Sequence, residues 1–529
     1  MAADELPTEK IDAIVVGAGA SGTAIAAKLA NAGKQVAILE AGPARDNSRL
    51  VSSTLFARRL KWSGDPVIEE GQNPIGHAFN ASSGVGGAAL HHYGVWPRFH
   101  EEDFDMRSRY DRGLDWPIGY DDLAPYYDDV QAEAGIAGDA ELEHWRPPGA
   151  PYPLPPVPLY EQGAAIARGF AALDMDVAPL PLAVTTETYR GRPPCLYDGW
   201  CDAGCPIGAL ANPLTVHLPV ALTNGAQLIT DTAVTKVLTD DSGETAVGVE
   251  VRTAEGEVRS LMADIVVLAA FAVQNPRLML ASANEQHPNG LGNTHDLVGR
   301  YITTHAAGLI YGLFDEQTQP YKGAFGGQLV NQDSYPKLTH ADSGAFGSYQ
   351  WMIAQAVKPN DLLGIATTRP DLFGSALHDF MTRAAQHFAG MTAVVEDIPV
   401  AENRITLSSE TDAHGVPLAL ATHSTHEDSN ALWRACLEEG KRIFNAAGAT
   451  DVWTGPQGTM HIMGGTIMGT GPANSVTNSY GQVHSIPNLI IGGPGLFPTS
   501  AGVNPTYTMH ALAARTAEHV LEHWGSITA

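Results

Sequence analysis

Cysteine is scarce, four residues in 529, which excludes a scaffold stapled by disulfides. Basic charge is short as well: 31 Lys and Arg stand against 58 Asp and Glu, and the formal charge of −27 disfavours nucleic acid or an anionic membrane as a partner. A neutral or cationic substrate is easier to accommodate. No apolar run reaches the ~20 residues of a membrane span, and "MAADELPTEK" has neither the basic nor the apolar region of a signal peptide. The expectation is a cytoplasmic protein, although export on a partner subunit with its own signal would leave no trace here. No internal repeat is visible and no metal-ion site is read. What is present is an ordinary globular balance, 44% hydrophobic and 17% charged, in a chain long enough for two cores.

The stretch "IDAIVVGAGASGTAIAAKLANAGKQVAILEAGP" reads as an apolar strand, a glycine turn, an alanine-rich helix from Ser21 to Ala32 and a second strand ending at Glu40. In such a βαβ unit Gly17 permits the tight turn, Gly19 lets the backbone approach a pyrophosphate, and Gly22 lets the helix pack closely on the strand. The helix start, Ala20 and Ser21, offers free N–H groups to phosphates. Glu40, followed by Ala41, falls where a carboxylate takes ribose hydroxyls, which suits FAD and NAD alike. Farther on, "NASSGVGGAALHHYGVWPRF" packs Gly84, Gly86 and Gly87 so closely that the backbone must run against something flat or bulky. An isoalloxazine ring fits that description, and a flexible surface loop is the plain alternative. Gly86, Gly87, Leu90 and His91 are therefore candidate cofactor contacts. A short β-meander and a following apolar strand, holding Val234 and Ala270, complete the nucleotide-binding set.

Those motifs, together with "DWPIGYDDLAPYYDDVQ", "CLYDGWCDAGCPIGAL", "LVGRYITTH", "ENRITLSS" and above all "HIMGGTIMG" and "NLIIGGPGLFPTSAGVNPTYTMHALAAR", resemble the glucose-methanol-choline (GMC) oxidoreductases. The resemblance spans nearly the whole chain and is closer to the branch of gluconate, fructose and sorbitol dehydrogenases and pyranose oxidase. It implies an α/β protein: a discontinuous Rossmann-like FAD-binding domain over 1–99, 210–300 and 457–529, and a substrate domain over 100–209 and 301–456 with helices and a mainly antiparallel sheet that would include the alternating segments "NRITLSS" and "VPLALATHS" as strands. It implies oxidation of a CH–OH donor, a sugar, glycoside or other small alcohol. In that family His461 would remove the hydroxyl proton while hydride leaves for flavin N5, with Asn504 as second active-site residue. The chemistry suits those residue types. Hydride loss from an alcohol needs a base near pKa ~7 within reach, and a carboxamide orients the same oxygen without competing for the proton. Gly493, Pro505 and Thr506 would border the flavin, with a helix N-terminus at its pyrimidine edge, and Gly464 and Gly465 would let backbone pass close to the ring.

Several readings stay open. His91 resembles the flavin-linking histidine of pyranose oxidase, with non-covalent FAD the expectation. Cys195, Cys201 and Cys205 resemble the loop that holds an iron–sulfur cluster in some relatives; a disulfide or packed free thiols are the alternatives. Phe271 stands where the family usually has glycine, and Gly493 where many members have aspartate. Tyr321, Phe325, Tyr349 and Trp351 are candidates for the pocket wall. The electron acceptor, oxygen, a quinone or a redox partner subunit, and the oligomeric state leave no readable signature. A lyase with non-redox flavin and a non-catalytic electron-transfer or binding subunit are the competing functions.

Overall fold

The computed structural model describes residues 6–64 and 66–529. The β-branched run Ile11–Val16 forms a strand, the alanine-rich run Ala20–Asn31 a helix, and Val36–Leu39 the next strand. A Cβ on Gly22 would stand 2.0 Å from the Gly17 carbonyl oxygen, so the helix crosses the strand at a distance only glycine allows. Ile11–Val16 sits centrally, parallel to Val36–Leu39 on one side and to Val258–Leu268 on the other. Gln227–Ile229 and Ile486–Ile491 extend this eight-stranded sheet outward, also in parallel. Alternate residues face opposite layers. Ala13, Val15, Val36 and Ile38 pack on Ala24, Ile25 and Leu29 of the helix, while Ile14, Val16 and Leu39 face Phe99, Tyr127 and Tyr507.

A second, seven-stranded antiparallel sheet lies in the other half of the chain. Its long strand Thr303–Leu313 pairs with Phe388–Val395 on one edge, and on the other with both Asp451–Thr454 and Gly458–Met463. Tyr349–Ile353, Leu329–Asn331 and Ala178–Pro179 continue it. The helix Glu427–Ala446 covers one face, burying Leu432, Cys436 and Phe444 against Ile310, Trp351 and Ala393. The fold is thus α/β of the expected class, a parallel nucleotide-type sheet joined to an antiparallel sheet with helices. Two details depart from the reading of the sequence. Arg404–Thr411 and Pro417–Thr422 join Val67–Glu70 in a separate three-stranded sheet rather than the main antiparallel one. The boundary read at 457 falls one residue before Gly458–Met463, a strand hydrogen bonded into the seven-stranded sheet.

The two halves are fastened by a buried charge cluster. Lys337 is fully buried and its Nζ lies 2.9 Å from Asp103 Oδ1 and 2.9 Å from both oxygens of Glu396. Tyr335 donates its hydroxyl to the same Asp103, whose backbone carbonyl accepts from Thr499 at 3.2 Å. Lys337→Met would leave two carboxylates facing each other in a dry interior. The expected cost is about 3–5 kcal/mol, as for breaking other buried ion pairs, read as a fall in the thermal unfolding midpoint with no change in the cavity described next.

Candidate active site

A cavity of about 620 Å³ runs between the two sheets, and the size is that of an ordinary ligand site. Its wall includes Gly17, Gly19, Ala20, Ser21, Glu40, Ala41, Gly87, His91, Val234, Ala270, Gly493, Pro505 and Thr506, together with His461 and Asn504. Gly22, Gly86 and Leu90 lie behind the wall. Gly22 serves the helix crossing, as its spacing implies. Gly86, at φ 96°, seats Leu90, whose Cγ would be 2.5 Å from an added Cβ, and Leu90 is itself fully buried.

Glu40 organises the nucleotide end. Its carboxylate accepts N–H groups from Ala18 at 3.0 Å and from Gly42 and Gly84 at 2.9 Å, charge-assisted bonds that hold both glycine turns to the strand end. The second turn then approaches the first so closely that a Cβ on Gly87 would sit 3.4 Å from the Gly19 Cα. Asn275 does similar work across the sheet. Its Oδ1 accepts from the Ala270 N–H at 2.8 Å and its Nδ2 donates to the Gly492 carbonyl at 3.3 Å, placing Ala270 and Gly493 side by side.

His461 reaches the cavity through a break in strand register. Pairing with Thr303–Leu313 slips between Met460 and Met463, and His461 takes φ 57°, a left-handed conformation that costs an L residue energy and re-aims its side chain. Its Nε2 lies 3.2 Å from Asn504 Nδ2 and its Nδ1 2.9 Å from His305 Nδ1. Asn504 Oδ1 accepts from Gln350 Nε2 at 2.6 Å. Burial, then the nearby His305, push the His461 pKa well below its usual 6.5, lower than the near-neutral base the sequence suggested. Beside this pair the wall is apolar, with Met352, Met460 and Ile462.

Other expectations are corrected. Tyr321, Phe325, Tyr349 and Trp351 do not line the cavity; Tyr349 and Trp351 are core residues that donate to Glu439 at 2.8 and 3.0 Å. Gly464 and Gly465 do not border it either. An added Cβ on Gly464 would meet the Tyr301 carbonyl at 2.0 Å, so these glycines let two backbones cross. Phe271 does line the cavity, at φ 89°, which is why glycine is the easier residue there. No disulfide joins the four cysteines. Sequence reading passed over His305 and Gln350. The available signal was a polar residue inside a largely apolar strand, "TTHAAGLIYGL" and "YQWMI", since such a group, once buried, must find a partner.

Sheet order, glycine turn and the long cavity between two sheets make the molecule an oxidoreductase of the dinucleotide-binding kind. Family models described as GMC oxidoreductase match residues 11–307 and 399–513, and the chain belongs to that FAD-binding family of alcohol and sugar oxidoreductases. It is 30% identical to the 2-methyl-1,2-propanediol dehydrogenase of Mycolicibacterium austroafricanum, over 98% of this chain and 96% of that protein. It is 28% identical to the fructose dehydrogenase large subunit of Gluconobacter japonicus, over 97% and 98%. A solved variant of the formate oxidase of Aspergillus oryzae shares the fold with a TM-score of 0.67 at 15% identity, covering 99% of this chain and 100% of that one.

The residues present fit FAD. The helix Ala20–Asn31 has no side-chain cap at Gly19, leaving its first N–H groups open. An added Cβ on Gly19 would meet nothing within 4 Å, so the cavity comes right up to the backbone there. Ser21 Oγ and His91 Nε2, both buried on the cavity wall, have no hydrogen-bond partner among the described residues.

The site is also rich in neutral buried imidazoles. Burial brings His91 and His510 down to about 3, and His92, His100 and His305 to about 4. In the unfolded chain these groups take up protons below pH ~6.5, while the folded protein leaves them neutral. The unfolded state then binds more protons, so stability falls as pH drops from ~6.5 toward ~4. Glu143, Glu396 and His423, shifted upward, work the other way and are outnumbered. The thermal midpoint should therefore begin to decline already near pH 6, before ordinary carboxylates titrate, and change little between pH 7 and 8.5.

Proposed function

We propose that the protein oxidises a small alcohol to its carbonyl, with His461 taking the hydroxyl proton at Nε2 and Asn504 donating to the same oxygen from Nδ2. The observation that carries this reading is the pair itself: an imidazole nitrogen and a carboxamide donor 3.2 Å apart on the wall of the one cavity that also meets the glycine turns. Bound FAD would supply the two-electron acceptor for the hydride that leaves the carbinol carbon. Gly17, Gly19, Ala20 and Ser21 would hold its phosphates at the open helix end. The low pKa of His461 keeps its nitrogen unprotonated at working pH, and the bond to Gln350 keeps Asn504 from turning away. Met352, Met460 and Ile462 offer few partners to a ring of hydroxyls. We therefore favour a small branched alcohol or diol, the class named for the Mycolicibacterium relative, over a sugar. The Gluconobacter relative is named as a large subunit, which supports a companion subunit as electron acceptor.

At His91 we favour non-covalent FAD, and at Cys195, Cys201 and Cys205 packed thiols, because Cys201 and Cys205 are buried in an apolar cluster with Val95, Leu180 and Leu210, and Cys195 packs against it. Acid precipitation should release all yellow colour to the supernatant, and the flavin-free protein should be colourless. Residual broad visible absorption would instead mark a cluster. The function itself is tested by anaerobic bleaching with a panel of diols, simple alcohols and sugars. His461→Ala should slow bleaching by at least ~10²-fold, the usual worth of a general base, at unchanged flavin content. Bleaching by that variant at the normal rate would remove His461 from its role.

A further inference from the structure

An imidazole can act as a base only at the nitrogen that lacks a proton, and the two nitrogens of His461 face different partners. What decides between them is a residue outside the cavity. His305, fully buried on the strand Thr303–Leu313, has its Nε2 2.9 Å from the Ala501 carbonyl oxygen and 3.1 Å from that of Ser500. Carbonyl oxygens only accept, so the proton of neutral His305 sits on Nε2 and its Nδ1 bears a lone pair. That lone pair is 2.9 Å from His461 Nδ1. Two lone pairs at this distance repel, so His461 Nδ1 must be the donor. With its one proton committed there, neutral His461 has a bare Nε2.

A second chain of hydrogen bonds reaches the same answer from the other side. Gln350 Nε2 is 2.6 Å from Asn504 Oδ1, Gln332 Nε2 is 2.9 Å from Gln350 Oε1, and His100 Nε2 is 3.0 Å from Gln332 Oε1. In the amide orientations the structure shows, each oxygen receives a proton and each NH₂ passes one on. Asn504 therefore turns its NH₂ toward His461, and an N–H there requires an acceptor on Nε2. The main-chain register explains how the rings meet. His305 pairs with Met460, and the slip that follows swings His461 back over its neighbour, with ring centroids 5.1 Å apart and planes at 84°.

We propose that His305 is a positioning residue that holds His461 in the tautomer protonated on Nδ1, leaving Nε2 bare toward Asn504. The inference builds on the reading of His461 as the base, and the experiment separates the two. In the holoenzyme with ¹⁵N-labelled histidine, the His461 signals are assigned by their loss in His461→Ala, and their shifts report which nitrogen carries the proton. Expected is Nδ1–H in the wild type. His305→Leu keeps bulk but offers no acceptor; it should slow anaerobic flavin reduction by about 10–100-fold, as loss of an orienting partner does elsewhere, and move the acid limb of the pH profile downward, because the lost lone pair no longer supports protonated His461. His305→Asn, which restores an accepting oxygen, should recover most of the rate. A wild-type His461 protonated on Nε2 overturns the proposal, as does a His305→Leu enzyme with unchanged rate and pH profile while His461→Ala is inactive. If His461→Ala retains full rate, the base assignment falls and the nitrogen shifts still decide the tautomer. The wild-type measurement stands even where His305→Leu does not fold.

Discussion

The Glu40 carboxylate accepts three backbone N–H groups, from Ala18, Gly42 and Gly84, and so ties together the two glycine turns, the second of them 44 residues along the chain from Glu40 itself. Backbone amides at tight glycine turns point wherever the chain leaves them, and without a common acceptor they would be unpaired and buried. Gathering them on one charge fixes the distance between the first glycine turn and the second. The rest of the cavity inherits that spacing: Gly87 comes against Gly19, His91 follows on the wall, and the helix end at Ala20 stays open. A residue read as a ligand for ribose is thus first a clamp on its own protein, with Oε2 still free to accept a further bond.

The chemical end depends on a different kind of constraint, one of strain. His461 could not reach both Asn504 and His305 from a regular strand, because alternate side chains point to opposite faces. The slip between Met460 and Met463 and the left-handed φ of His461 resolve the geometry at some local cost, which the flanking pairs with Thr303–Leu313 sustain. Gly464 follows at once, passing over Tyr301 where a side chain would not fit. The HxxGGT segment is therefore one mechanical unit: a bulge to aim the imidazole and a glycine crossing to bring the chain back to the parallel sheet.

Much of this was legible in the sequence for physical reasons. The amino-terminal βαβ unit is local, so its periodicity and glycines reveal it directly, and Gly17, Gly19 and Gly22 take the places their spacing implies. Gly86 and Leu90 were misplaced because a glycine that makes room for its own neighbour looks the same in a string as one that makes room for a ligand. Tyr349 and Trp351 were misjudged for a similar reason: an aromatic on a buried strand shows its composition and not its face. His305 and Gln350 were missed because their significance lies in partners more than 150 residues away, a separation no local pattern encodes. The hairpin Arg404–Thr422 was recognised as strands but assigned to the wrong sheet, since alternation specifies a half-buried surface and not which surface it lies against.

The imidazole is carried by a strand of the antiparallel sheet, whereas the carboxamide opposite it lies just before the helix Thr506–Glu522, which packs on the parallel one. On the proposed reading, substrate recognition and proton removal share the strand that carries His461, and any rearrangement of that roof to admit a bulkier molecule would also shift the nitrogen that meets it. Breadth of specificity and turnover are in this architecture mechanically coupled quantities, and adaptation to new alcohols is easiest at side chains that leave the backbone of Gly458–Met463 where it is.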